Sequence, residues 1–277
     1  MRNFKIYILF FFAFIFFVVS AQFSREGQAR LGVYYSYHDR VVVPAPLLLV
    51  LTAGDRFLAG DLEVIRLAVT GVDVVGVDTI YLTRAQREVA RLHPCHEDNY
   101  YLANGLLTWG GAVDDGNFVL KAAIDCRVWD GVPSFLYAIN KSFFENDIDE
   151  AVRALELSAQ RWPSNSAALM KLAVMLRVES FADEKLALNY LTQQRDASND
   201  AKLRAMLDKR VVRLQGLVTL REAQRRFEAN NGALIRLDQL IEAGLLEYLP
   251  EDPLNLGYEL REGRVILRKM KIAGMED

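Results

Sequence analysis

Three short sequences recur at one interval: Tyr101-Leu102-Ala103, Leu136-Tyr137-Ala138 and Lys171-Leu172-Ala173 stand 35 residues apart. A repeat near 34 residues with helical apolar spacing is the pattern of stacked helical hairpins, in which each unit buries one face against the next. Each triplet lies in the middle of a predicted first helix, over residues 99–109, 132–144 and 166–178. A turn rich in Gly, Asp or Asn follows, and then a second helix over 117–126, 148–161 and 184–193. Ala103, Ala138 and Ala173 would let the helices of a hairpin approach closely while neighbouring Leu and aromatic side chains fill the interface. The chain is therefore expected to be mainly α, a helical-hairpin solenoid.

The flanks add to this core. Leu47, Leu51, Phe57, Leu58, Leu62, Ile65 and Leu67 predict helix from 46 to about 70, interrupted near Gly54 or Gly60. Gly71 breaks it, and Val74, Val77, Ile80, Leu82, Val89 and Leu92 predict a second helix, from 78, that ends before Pro94. Alternating aromatic and β-branched residues over 31–43 read as an extended linker. Downstream, 197–231 reads as a long charged helix capping the stack, with Leu203, Leu207, Val211, Leu214 and Phe227 on one side. A short helix at 234–243, stopped by Gly244, and two strands at 257–260 and 264–268 around Glu262-Gly263 complete the chain. The domain plan is a membrane anchor or signal peptide (1–23), a linker (24–45), a helical repeat domain (46–196), a capping helix (197–231) and a small α+β module (232–277).

Residues 6–19 form an uninterrupted apolar run behind Arg2 and Lys5, the layout of a segment handed to the export machinery. Small residues before Gln22 allow cleavage after Ala21, whereas a run extended to about Phe23 would just span a hydrocarbon layer of roughly 30 Å. Retention places the chain in the bacterial inner membrane with its bulk in the periplasm; cleavage leaves it soluble in the periplasm. Beyond residue 21 the chain carries 31 basic and 36 acidic side chains, which argues against nucleic acid as a partner.

The repeats resemble the tetratricopeptide repeat family over about residues 95–195. The middle unit carries the resemblance: Asn146-Asp147-Ile148-Asp149-Glu150-Ala151 stands at the family's turn and second-helix Ala, and Trp162-Pro163-Ser164-Asn165 at its terminal Pro. The first unit departs from the pattern, with Gly110-Gly111-Ala112-Val113-Asp114-Asp115 one residue longer and Val128-Trp129-Asp130 in place of the Pro. Residues 225–270, with Gly244-Leu245, Leu249-Pro250-Glu251-Asp252-Pro253 and Tyr258, resemble the C-terminal part of the major pseudopilins of type II secretion, without that family's N-terminal methylation signal.

Stacked first helices would present Tyr100, Asn104, Leu107 and Thr108, then Phe135, Ile139, Ser142 and Phe143, then Met170, Val174, Arg177 and Val178 to a groove, with about half of them core instead. That mixture of aromatic, amide and cationic groups suits a protein or peptide partner. The expected function is an envelope scaffold or adaptor, accessory to an envelope assembly or secretion system. The competing expectation is an exported enzyme or small-molecule binder with a site in residues 31–93. Phosphate-loop, nucleophile-elbow, zincin and dinucleotide motifs are absent from the sequence, so no enzyme activity and no cofactor are expected.

His93-Pro94-Cys95-His96-Glu97-Asp98 holds several metal-ligating residue types, yet no second Cys/His pair follows at zinc spacing, so it reads as a helix entrance and not as a metal site. In a hairpin, the start of the first helix and the end of the second lie together, so Cys95 and Cys126 are expected to form a disulfide. Trp109, Trp129 and Trp162 fall near repeat ends, where packing between hairpins is expected, and the acidic groups at 114–115 and 147–150 read as solvated caps.

Overall fold

The computed structural model describes residues 41–70 and 79–268, with Ile15 alone among the first forty. The remainder of the apolar run, residues 24–40 of the linker, Val74 and Val77, and residues 269–277 lie outside the described residues. No helix among the described residues is long and apolar enough to cross a membrane. What is described is mainly helical, with a small antiparallel β-hairpin at its C-terminal end.

Helix α1 (Ala45–Leu51) starts behind Pro44, and its first N–H, on Ala45, donates to buried Glu88 at 2.9 Å. The interruption falls at Gly54, whose φ of +91° suits a residue without Cβ, while Gly60 stays helical. Helix α2 (Arg56–Thr70) begins where the Asp55 carboxylate accepts the N–H groups of Phe57 and Leu58, both at 3.0 Å. After it come α3 (Thr79–Leu92), α4 (Glu97–Leu102) running into a π-helical turn (Ala103–Leu107), α5 (Val113–Cys126), α6 (Val132–Phe143), α7 (Ile148–Arg161), α8 (Ser166–Glu179), α9 (Glu184–Ala197) and α10 (Ala201–Asn231). Neighbours in this series pack on one another, and α3 also lies against α5. The three alanines of the 35-residue spacing are all buried. Ala103 and Ala138 share one core with Tyr100, Leu120, Tyr137 and Leu155. Helix α8 contributes Leu169 and Ala173 to that core and Ala167 and Val174 to a second one, built on α9, α10 and the C-terminal hairpin.

The C-terminal module is α11 (Gln239–Glu242), β1 (Tyr258–Arg261) and β2 (Arg264–Leu267), with Tyr258 opposite Leu267 and Arg261 opposite Arg264. Helix α11 is shorter than the expected 234–243 because the Gln239 side-chain oxygen accepts the N–H groups of Ile235 (2.9 Å) and Arg236 (3.0 Å), folding that stretch as a cap. Gln224 of α10 clasps the hairpin: its amide nitrogen donates to the Gly263 carbonyl (2.7 Å) and its oxygen accepts from Val265 N–H (3.1 Å). Gly216 leaves room for the Tyr258 ring, since a Cβ there would lie 2.1 Å from the phenolic oxygen. The loop before β1 is wound around Asp252, which accepts the N–H groups of Leu254 (2.9 Å), Leu256 (3.2 Å) and Gly257 (2.7 Å) and pairs with Arg213 at 3.0 Å. Both partners of this pair are almost wholly buried.

Burial would raise the Asp252 carboxyl, but the N–H groups of Leu254 and Gly257, with Arg213, hold it below the usual carboxylate range. A carboxyl depressed in this way stabilises the fold above the ordinary carboxylate pKa and loses that contribution as pH falls through the folded value. Asp252→Asn leaves Arg213 buried without its counter-charge and is expected to cost about 3 kcal/mol. It should also weaken the acid-side decline in stability, both measured by denaturant unfolding between neutral pH and pH 3.

Candidate functional site

The best-defined junction lies where the α3–α4 turn meets the end of α5. Cys95 enters α4, Cys126 ends α5, and the hairpin brings them together as a disulfide with Cα atoms 5.3 Å apart. Arg127, the next residue, extends the fastening. Its guanidinium donates to the Cys95 carbonyl (3.2 Å), to Glu97 (3.0 Å) and to Asp130 (2.9 Å). Asp130 also accepts from the Tyr100 hydroxyl at 2.9 Å and from Val132 N–H at 2.9 Å, capping α6. Burial opposes the Asp130 charge, yet Val132 N–H, Arg127 and Tyr100 together depress its carboxyl below the usual value.

On the other side of the same turn, His93 and His96 meet Asp61 of α2. The Asp61 Oδ1 atom lies 3.1 Å from His93 Nδ1 and 3.5 Å from His96 Nε2. Helix α2 comes this close because residue 60 is glycine: a Cβ there would stand 2.9 Å from His93 Cβ. Phe57 meets the His93 ring edge to face with centroids 5.0 Å apart. Burial, and then His93, lower the proton affinity of His96 against the opposing carboxylates of Asp61 and Asp98, which favours a neutral ring. Such a trio can share protons internally or present three donors to a cation. Asp61 is the residue that sequence reasoning missed, since it lies 32 positions before His93 and nothing in its spacing marks it. Cys95, at the centre of the ligand-rich hexapeptide, is held in the disulfide and offers no thiolate.

The expected groove residues divide. Tyr100, Asn104 and Thr108 are buried, correcting their assignment to an open groove. Stacking explains why: Tyr100 reaches Asp130 ahead of α6, and Asn104 Oδ1 accepts from Asn140 Nδ2 at 2.9 Å, so this face of the first unit is covered by the second. Asn140 also donates to Asn117 Oδ1 (2.9 Å), and Asn117 donates to Glu145 (2.6 Å), so an amide ladder joins the two hairpins through their interior. The Thr108 hydroxyl bonds to the Ala103 carbonyl inside the π-helical turn. Val174 is buried as well. Phe135, Ile139, Ser142, Met170, Arg177 and Val178 are half-buried. Of these, the Ser142 hydroxyl is spent on the Ile139 carbonyl (3.0 Å) and Arg177 is paired with Asp149. The Leu107 side chain lies outside the described residues.

Phe143 is 65% exposed. Its ring lies 4.8 Å from that of Trp109 and 5.1 Å from that of Phe144, and Trp109 and Phe144 are 5.0 Å apart. Trp109, expected to pack between hairpins, is instead 52% exposed in this three-ring patch, because the kink at Gly105 and the following turn carry it to the ends of α4 and α6. Trp129 is also exposed, beside Arg127, and Trp162 alone packs into the stack. Of the acidic groups read as caps, Asp147 does accept from Glu150 N–H (3.1 Å), whereas Asp115 pairs with Arg87 (2.7 Å) and Arg84 (3.5 Å) of α3.

No protein-family model, curated protein or solved structure matches the chain.

The disulfide closes a loop of 31 residues, so replacing both cysteines by serine is expected to destabilise the fold by about 3 to 4 kcal/mol. Chemical denaturation of oxidised wild type, reduced wild type and the Cys95→Ser/Cys126→Ser variant measures this, and the last two should coincide.

Proposed function

We propose that the protein is a scaffold or adaptor of the bacterial cell envelope, accessory to an envelope assembly or secretion system, that binds another protein or peptide along its hairpin stack. The observation that carries this reading is the aromatic patch of Trp109, Phe143 and Phe144, where two successive first helices end. Two large rings more than half in water, Trp109 and Phe143, resting on a half-buried Phe144, are unusual on a protein that meets no partner, and covering each exposed ring is worth on the order of 2 kcal/mol. Aromatic side chains also dominate the energetically decisive centres of protein interfaces. Elsewhere on the same series of first helices Phe135, Ile139 and Met170 are half-buried. The basic-headed apolar run at 6–19 supports the envelope part of the reading.

Two measurements test it. A photocrosslinking amino acid placed at Phe143 in the full chain, in intact cells, should give one discrete adduct that is lost on Trp109→Ala and absent when the probe is at exposed Ile235. Adducts of equal yield at both positions, or none at 143, would sink the docking assignment. A reporter active only outside the cytoplasm, fused after Asp277, should give signal, and activity of a cytoplasm-only reporter at that site would overturn the placement.

A further inference from the structure

The cluster of Asp61, His93 and His96 is not needed for the scaffold reading, and its chemistry is of another kind. The three ligand atoms lie within 4.8 Å of one another. Donors on one ion with bonds of about 2.1 Å stand about 3.0 to 3.4 Å apart. The Asp61 carboxylate oxygen is 3.1 Å from one imidazole nitrogen and 3.5 Å from the other, so two of the three edges are already close to that spacing. The third edge, between the two imidazole nitrogens, lies within the same 4.8 Å span. The donors arrive from two separate segments, α2 and the α3–α4 turn, and both are fixed. Gly60 sets the approach of α2 to His93, the Cys95–Cys126 disulfide pins the residue just before His96, and His96 N–H closes the turn on the His93 carbonyl at 3.1 Å. Prepositioning of this sort is what lets a three-ligand site bind without first paying to order its ligands. The Phe57 ring walls one side. Asp61 is half-exposed, so an ion can enter from solvent and keep water on its remaining positions.

We infer that Asp61, His93 and His96 form a binding site for a divalent transition metal of the zinc class, with two imidazole nitrogens and one carboxylate as ligands and at least one position open. Two histidines with one carboxylate is a donor set that suits zinc and its borderline neighbours and disfavours calcium and magnesium, which take oxygen-rich cages. The open position distinguishes it from closed structural sites with four protein ligands. A metal held here would cross-link α2 to the turn that starts the hairpin stack. That would make the position of α2 dependent on metal as well as on packing.

The test uses the full chain in detergent without reductant, so that both cysteines stay in their disulfide, stripped of metal and titrated with Zn²⁺ against a chromophoric chelator and with Co²⁺ by visible absorption. The expected result is one equivalent of Zn²⁺ per chain, Co²⁺ bands of a nitrogen- and oxygen-ligated ion, and a metal-dependent rise in melting temperature. Ca²⁺ and Mg²⁺ should produce none of these. Asp61→Asn, nearly isosteric at a half-exposed position, and His96→Gln should each weaken Zn²⁺ at least about tenfold while leaving the metal-free melting temperature close to wild type. Absence of saturable binding, or Zn²⁺ affinity unchanged in an Asp61→Asn/His96→Gln double variant, would overturn the site. Loss of the aromatic-patch crosslink would leave this result untouched, so the two readings fail independently.

Discussion

Close contact between successive hairpins governs this molecule, because each hairpin has one apolar face too many to be stable alone and must cover it with its neighbour. Ala103, Ala138 and Ala173 are the points where side-chain bulk would hold the helices apart, and all three are buried. With the hairpins that close, side chains of the first unit reach the second, Tyr100 to Asp130 and Asn104 to Asn140, which is why both end up inside. Covering the first unit therefore removes part of a groove and replaces it with an interface. What remains at the surface is displaced to the helix ends, where Trp109 and Phe143 meet.

Polar side chains in this interior act as clasps at particular joints. The amide ladder from Asn104 through Asn140 to Asn117 fixes how the first hairpin sits on the second. Arg127 and the disulfide close the base of the first hairpin, and Arg213 with Asp252 ties the C-terminal loop to α10. A buried donor or acceptor left without its partner is costly, so each clasp penalises alternative registers more than it adds to net stability. The joint at Asp61, His93 and His96 differs from these in being open to water on one side. Its donors are thereby available to something other than the protein itself.

Much of the fold was legible in the residues. Helices α6, α7 and α8 lie within a residue or two of the ranges expected from apolar spacing, and the β-hairpin follows from Glu262-Gly263, both at positive φ. The pairing of Cys95 with Cys126 was readable because a hairpin fixes which ends meet. The groove was less so. Spacing identifies which residues share a helix face, but Tyr100, Asn104 and Thr108 share a face that faces inward in the first unit, where α4 passes into a π-helical turn and the next hairpin covers it. Helix propensity carries no information about that choice.

The sequence by itself determined local and periodic properties: helices with a 35-residue recurrence, turns such as those at Gly54 and at Glu262-Gly263, and cysteines at ends that a hairpin must join. These depend on contacts a few residues apart or on strict repetition, so they can be read along the chain. Only the tertiary structure decided which faces are covered, that Trp109, Phe143 and Phe144 form one patch, and that Asp61 stands beside His93 and His96. Those facts are set by how separately folded segments pack, through approaches such as that of Gly60 to His93, and a contact between side chains 32 positions apart with no repeat to register them leaves no periodic mark in the sequence.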